Sequence, residues 1–404
     1  MVDSSFIPQR GGLEKALDAI LRVEAPDGVE LPHKLPNEGI GEEAAINRLA
    51  PIVIGRARKL GAPDAFAHMD PPTPWITWVT TFWNAALNQN LLHPDLSPIA
   101  KDIEGRLIDW LSPFFGMDGG HMTPGSTISN LTALWAARDL NKIQKVVSSK
   151  ASHLSIAKAA HLLGLRYVSV ETDNLGRLDP ARLPSDLSDA ALVLTAGTTN
   201  AGAIDNLKLS ERASWTHVDA AWAGPLKLSH KFTSRLDGIE KADSISISAH
   251  KWFFQPKEAG MVLFRATENA HSTLSYGGSY LSMPNVGLLG SHGAIAIPLL
   301  ATLLSWGRSG IAQRIERAMM SADTLWQKLK EHPKVELFGP QTSGIVLWRV
   351  LDEQHFNSIF ERLPEGSTSE TRIDGVKWLR NVAANPCVDI DRLWREFEGA
   401  LNKE

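Results

Sequence analysis

Two stretches decide the fold: WTHVDAAWAGP, residues 215–225, and ADSISISAHKW, residues 242–252. Each begins as a short strand-like run and ends on a charged residue, Asp219 in the first and Lys251 in the second. With a side-chain period of two, His217, Asp219 and Ala221 face the same way, and the small Ala221 leaves room above it for a flat ligand. A carboxylate leaving an apolar strand is costly unless it meets a cation or a donor. The plainer readings of Asp219 are a structural salt bridge or a two-ligand metal site, but no HExxH pattern or His-rich motif completes a metal site. A lysine at the end of a buried strand is partly desolvated, which lowers its pKa and frees the amine for nucleophilic chemistry. Many such lysines do no more than reach solvent.

Working outward, short strand-like runs at 167–170, 191–196, 215–220, 244–248 and 261–264 follow helical patterns at 103–115, 131–140 and 156–163. That alternation predicts an α/β domain with a mostly parallel, buried sheet, whose ligands sit at the carboxyl ends of the strands. From about Ile311 a long helix to Lys330, a strand at 345–350 and a last helix at 390–401 predict a smaller α+β domain. Upstream, helical spacing at 13–23, a Pro/Gly-rich stretch at 25–41 and a second helix from about Glu42 form an accessory segment. The HMDPPTP run at 68–74 is too rich in proline to be regular and is expected to be a loop. The expected division is 1–70, 71–305 and 306–404.

The 404 residues carry 41 Lys plus Arg against 45 Asp plus Glu, a net charge of −4, with no long basic run. This argues against a nucleic-acid-coating surface or an anionic-membrane binder. The lone Cys387 excludes an internal disulfide and a cysteine-based zinc site. The start MVDSSFIPQR lacks a signal pattern, and the longest apolar stretch, 293–306, is short for a bilayer and contains Pro298. A cytosolic setting is expected. Thirteen Trp against three Tyr is an unusual aromatic balance.

Two more places bear on chemistry. In TPGSTISNLTALWAARD, residues 123–139, a Gly-Ser-Thr turn feeds directly into an amphipathic helix. Free N–H groups at that helix start, beside the hydroxyls of Ser126 and Thr127, would cradle a phosphate; the plainer reading is an ordinary N-cap. An Asn-Leu-Thr sequon at Asn130 lies inside the same helix and is a chance match. In SHLSIAKAAHLLG, Ser152 could cap a helix that starts near His153, which alone would be a surface histidine. Taken in order on a parallel sheet, an anion cradle, a histidine, a buried aspartate and a strand-end lysine are the parts of a pyridoxal 5'-phosphate site.

The sequence resembles the group II pyridoxal-phosphate-dependent amino acid decarboxylases, the glutamate, aromatic L-amino acid and histidine decarboxylase-like family. The resemblance runs from about His68 onward through LNQNLLHPDLSPIAKDIEGRLIDWL (87–111), PGSTISN (124–130), HVDAAWAG (217–224), SAHKW (248–252) and LRNVAANP (379–386). It implies the fold type I, aminotransferase-like architecture and a homodimer with shared active sites. It further implies that Lys251 is the Schiff-base lysine, with His250 near the cofactor phosphate and Asp219 paired with the pyridine nitrogen. Ala221 and His153 then pack on the two ring faces, while Ser126 and Thr127 hold phosphate and Thr198 lies beside the cofactor. Arg380 resembles an arginine that meets a substrate carboxylate in glutamate-type members.

The chain also departs from the family. The segment that carries the mobile catalytic loop is short here, GGSYLSMPNVGLLGSHGA at 277–294, so Tyr280 is the best match to the proton-donating tyrosine, with Tyr276 second. Ser291, His292 and Gly293 stand where many members have an arginine, which makes any charge there depend on pH. Pro74, Trp75, Trp78 and Phe82 could form an apolar wall against which an α-carboxylate is destabilised, or could be core or dimer packing. The expected activity is release of CO2 and an amine from an L-amino acid, with His292 and Trp75 as further substrate contacts. The alternatives are oxidative deamination to an aldehyde or another carbon–carbon lyase reaction, and then a non-catalytic paralogue. Arg380 points to an acidic substrate and the Trp-rich run at 75–83 to an aromatic one.

Overall fold

The structure, a computed structural model, describes residues 10–22 and 31–403. The chain start, the end of the first expected helix at Val23 and part of the Pro/Gly-rich stretch lie outside the described residues. Two compact units are present, one within residues 1–59 and one within 60–404. In the first, α1 (Arg10–Arg22) and α2 (Glu42–Val53) are joined by an ion pair between Lys15 and Glu43.

The second unit opens with the expected loop, then α3 (Trp75–Leu87) and α4 (Ala100–Leu111). Its main sheet is built from β1 (Gly119–Thr123), β2 (Lys145–Ser149), β3 (Arg166–Val170), β4 (Ala190–Thr195), β5 (Trp215–Asp219), β6 (Ser244–Ser248) and β7 (Gly260–Phe264). The strand order is β1-β7-β6-β5-β4-β2-β3. Every pairing from β3 through β6 is parallel, and β7 alone runs against its two neighbours. Between strands lie α5 (Ser126–Asn141) and α6 (Leu154–Leu162), and α7 (Thr267–Thr273) follows β7. The strands β2, β4, β5, β6 and β7 are buried along their whole length, because helices cover both faces and every residue must pack. This is why AALVLT and GMVLF are continuous apolar runs with no polar alternation.

Two strands escape a reading of periodicity. β1 is GGHMT and β2 is KVVSS, too short and too rich in small or polar residues to stand out. They belong to the sheet because partners on each side fill their ladder, not because of local propensity.

A small hairpin, β8 (Ser275–Tyr276) with β9 (Asn285–Val286), precedes α8 (Ala296–Glu331). The long helix therefore starts well before Ile311, and its ladder is interrupted at Gly307, where φ 60 and ψ −177 kink it. The C-terminal part forms an antiparallel sheet ordered β10-β11-β13-β12, from β10 (Val335–Leu337), β11 (Ile345–Val350), β12 (Ser369–Ile373) and β13 (Val376–Val382). Between them lies α9 (Phe356–Arg362), and α10 (Ile390–Asn402) closes the chain. Asp389 caps α10 by accepting from Arg392 N at 3.0 Å, and Leu393, Phe397, Ala400 and Leu401 form its buried stripe. No described helix is long and apolar enough to cross a membrane.

Candidate active site

The carboxyl ends of β4, β5 and β6 lie level, with Thr195 beside Asp219 and Asp219 beside Ser246. Asp219 is thus delivered to the strand-end edge as the last residue of β5, and Lys251 follows β6 by one tight turn closed by Lys251 N donating to Ser248 O at 3.3 Å. Asp219 is 3% exposed. Its Oδ2 accepts from Asn130 Nδ2 at 3.1 Å, and its Oδ1 accepts from Ala221 N at 3.1 Å. Lys251 is partly buried, and among the described residues its Nζ has no hydrogen-bond partner. Burial pushes its pKa down, opposed by the Asp219 charge.

The expected anion cradle is the turn before α5. Gly125 is the N-cap at φ 94, so no side chain caps the helix, and the first bonds back to Gly125 O come from Ile128 N at 3.1 Å and Ser129 N at 3.2 Å. The N–H groups of Ser126 and Thr127 are left facing outward, which is the arrangement that binds a phosphate. A Cβ on Gly125 would sit 3.2 Å from His250 Cε1, and one on Gly260 would sit 2.8 Å from the Gly125 backbone. The cradle is therefore closed by backbone packing on one side and by an imidazole on the other. Ser248 Oγ donates to Ser126 Oγ at 2.8 Å, and His250 Nδ1 donates to Ala259 O at 2.8 Å. Burial, with Lys257 and Lys251 nearby, holds the His250 pKa down to about 4, so the ring is neutral at physiological pH.

His153 is itself the N-cap of α6 and accepts from Ser155 N at 3.2 Å. Ser152, expected in that role, instead bonds Ser148 Oγ at 2.9 Å, because its position precedes the first helical turn by one residue too many. His153 and Lys251 both feel the Asp219 charge, which places the three around one space. Thr198 is buried; its Oγ1 accepts from Ala203 N at 3.0 Å and keeps its own proton to donate. Beside Asp219, Thr195 Oγ1 is buried with no partner among the described residues.

The remaining sequence candidates are dispersed. Arg380 is 8% exposed and spends its guanidinium on Thr199 O at 2.8 Å and Ala67 O at 3.2 Å, pinning two loops to β13. Its pKa is pushed down to about 10 by burial, and Lys251 lies within reach of its charge. Tyr280 and Trp75 are exposed, at 72% and 68%. The ring of Tyr280 stands 6.5 Å from that of His93. His292 Nδ1 donates to Gly290 O at 2.8 Å, and the residue lines a cavity of about 210 Å³ with His121 and Glu104. Among the described residues no hydrogen bond, ion pair or ring contact joins these three to Lys251, Asp219 or His153.

Sequence reasoning missed Asn130, Ser155 and Ser246, all buried around Asp219. A signal was present for Asn130: an asparagine four residues past Ser126 lies on the face of α5 that packs on the sheet, where a polar group needs a partner.

The donor set fits pyridoxal phosphate: uncapped N–H groups for the phosphate, a buried carboxylate for the ring nitrogen, and an unpaired amine for the aldehyde. A family model described as the pyridoxal-dependent decarboxylase conserved domain matches residues 29–351. The chain belongs to the pyridoxal-dependent decarboxylase family. This decarboxylase is 31% identical over 350 residues to an L-2,4-diaminobutyrate decarboxylase of Rhizobium meliloti (strain 1021), covering 78% of this chain and 70% of that protein. It is 27% identical over 422 residues to another protein of that name from Acinetobacter baumannii, covering 88% of this chain and 82% of that one. In fold it matches the crystal structure of Oryza sativa TDC with PLP and tryptamine, with a TM-score of 0.86, 20% identity, and coverage of 99% and 98% of the two chains. The decarboxylase is a pyridoxal-phosphate-dependent carboxy-lyase of fold type I.

Proposed function

We propose that Lys251, Asp219 and His153, with the α5 cradle, form the active centre in which this enzyme decarboxylates an L-amino acid to its amine and CO2. The observation that carries the reading is the unpaired Lys251 amine beside the buried Asp219 carboxylate at the ends of adjacent strands, next to an uncapped helix start. Pyridoxal phosphate, when bound, supplies the electron sink that accepts the pair left on Cα as CO2 departs.

The side chains do the rest. Lys251, whose pKa burial pushes down, would hold the cofactor through its Nζ. Asp219 would pair with the pyridine nitrogen and favour its protonated form, and Ala221 and His153 would pack against the ring. Ser126, Thr127 and the helix start would hold the phosphate, with His250 against the same turn, and Thr198 Oγ1 would donate to the cofactor. Arg380, fixed by the carbonyls of Thr199 and Ala67, keeps one nitrogen for the substrate carboxylate.

Residues 71–305 form the cofactor domain, 306–404 the small domain, and 1–70 an accessory segment. We assign a cytoplasmic homodimer. Trp75, Trp78, Phe82, Trp83 and Leu87 expose one apolar stripe on α3, which a second copy would bury. In that arrangement Tyr280, which touches none of its own centre, would be the proton donor for the partner's, with His292 and Trp75 at the rim. The test is a panel of L-amino acids led by L-2,4-diaminobutyrate, aspartate and tryptophan, with CO2 and amine both measured. Equimolar CO2 and amine from one of them, abolished in Lys251→Ala, is the expected result. Aldehyde and peroxide in place of amine, or activity retained in Lys251→Ala, would overturn it.

A further inference from the structure

Behind Asp219 the buried polar groups form one directional chain. Trp215 Nε1 can only donate, and it donates to Ser244 Oγ at 2.9 Å. Ser244 Oγ also lies 2.9 Å from His217 Nδ1. His217 is fully buried and held down to about 4 by that burial, so its ring is neutral. Asn130 Oδ1, 2.9 Å from Nε2, can only accept, so the one ring proton is on Nε2 and Nδ1 is left to accept from Ser244. Ser246 Oγ donates to the same oxygen at 2.5 Å.

The Asp219 carboxylate can only accept, which fixes the Asn130 amide with Nδ2 toward it and Oδ1 toward His217 and Ser246. Its Nδ2 must then give its two protons to Asp219 Oδ2 at 3.1 Å and Ser155 Oγ at 2.8 Å. Ser155, having accepted, donates onward to His153 Nδ1 at 2.8 Å, and Ser155 N donates to that nitrogen at 3.2 Å. His153 is left with its proton on Nε2. One amide thus meets both groups assigned to the cofactor ring.

We propose that Asn130 is a positioning residue that orients the Asp219 carboxylate and, by aiming the Ser155 hydroxyl, adds to the backbone Ser155 N–H in holding His153 as its Nε2–H tautomer, with His217 locking the amide. The chain of donors from Trp215 to Asp219 runs in a single direction. Asn130 is 0% exposed and cannot exchange these bonds for water without opening the sheet. The proposal rests on the roles given above to Asp219 and His153, but its first readout needs no cofactor.

The experiment is long-range 1H–15N correlation on histidine-labelled apo protein, paired with a pyridoxal phosphate titration. In the parent, His153 should show a bare Nδ1 and a protonated Nε2. In Asn130→Ala the His153 Nδ1 resonance should shift as the Ser155 hydroxyl loses its fixed direction, and the cofactor Kd should rise at least tenfold while circular dichroism stays parental. A folded Asn130→Ala with an unchanged His153 pattern and a Kd within twofold would overturn the proposal. Should Asn130→Ala fail to fold, Ser155→Ala removes the hydroxyl donor to His153 Nδ1 and leaves the backbone one, and an unchanged Nδ1 resonance there would equally overturn it. At the other end, His217→Gln can still donate to Oδ1 and should keep parental values, whereas His217→Phe should behave as Asn130→Ala; parental values in His217→Phe would refute the lock. If the parent binds no cofactor, the functional reading fails while the tautomer result still stands or falls alone.

Discussion

Replacing Gly260 with alanine tests how the sheet builds the phosphate cradle. Gly260 is the first residue of β7, paired with Thr123 on β1 and Ser248 on β6, directly beneath the turn that starts α5. A Cβ there would lie 2.8 Å from Gly125 C and Cα and 3.1 Å from Ile247 O, where ordinary contacts begin at 3.4 Å, a shortfall of 3.4 − 2.8 = 0.6 Å. All three atoms are backbone, so no side chain can rotate out of the way. Overpacking of this kind costs about 1–3 kcal/mol. The displacement falls on Gly125 and with it on the Ser126 and Thr127 N–H groups. Moving them by that distance would stretch a ~2.9 Å hydrogen bond to ~3.5 Å, beyond useful length. Losing one charged bond, worth about 1.5–3 kcal/mol, raises the pyridoxal phosphate Kd on the order of 10- to 100-fold. Urea unfolding of the apo protein would give the first quantity, and tryptophan fluorescence during a cofactor titration the second. A Gly260→Ala protein with parental stability and a Kd within twofold would refute the packing argument.

Three further outcomes follow from the geometry. Asp219→Asn should still bind cofactor but turn over at least 100-fold more slowly, because a neutral amide no longer favours a protonated pyridine nitrogen; initial rates at saturating substrate decide it, and near-parental turnover would remove Asp219 from that role. Acid should destabilise the fold as pH falls from 6.5 toward 4, since the unfolded chain then protonates histidines that the fold holds at about 4 (His217, His250) and about 3 (His121). Asp205, raised to about 6 by burial, opposes part of this by taking up its proton first in the fold. For His217 the interval from 6.5 to about 4 is worth roughly 3 kcal/mol, so His217→Gln should show a shallower acid slope in urea titrations, and parallel curves would contradict it. Mixed dimers of Lys251→Ala with Tyr280→Phe, each inactive alone, should recover up to about a quarter of parental activity if Tyr280 serves the partner's centre, and no recovery would place it elsewhere.

The parts of the site carried by single side chains on regular elements were legible from the sequence. Asp219 and Lys251 stand out because a charge at the end of an apolar strand needs a reason, and the strand-end rule supplies one. The same reasoning found the Gly125 turn, although the helix is capped by glycine and not by a side chain, which is what leaves its N–H groups free. β1 and β2 were not legible, since their place depends on ladder partners distant in sequence. Nor was the Asn130 network, because a buried amide at 87 residues from His217 and 89 from Asp219 is recognised only when the fold brings them together. The Trp/Tyr imbalance resolves in part. Trp222 and Trp252 stack with centroids 4.2 Å apart in the core and donate to Ser343 O and Ala383 O, while Trp75, Trp78 and Trp83 lie on the exposed face of α3.

The central claim is that Lys251 holds the cofactor. Borohydride reduction of the pyridoxal-phosphate-loaded protein, followed by peptide mapping, tests it most directly. The account predicts a single stable pyridoxyl adduct on Lys251, absent when Lys251→Ala is treated in the same way. An adduct on another lysine with Lys251 unmodified would contradict it.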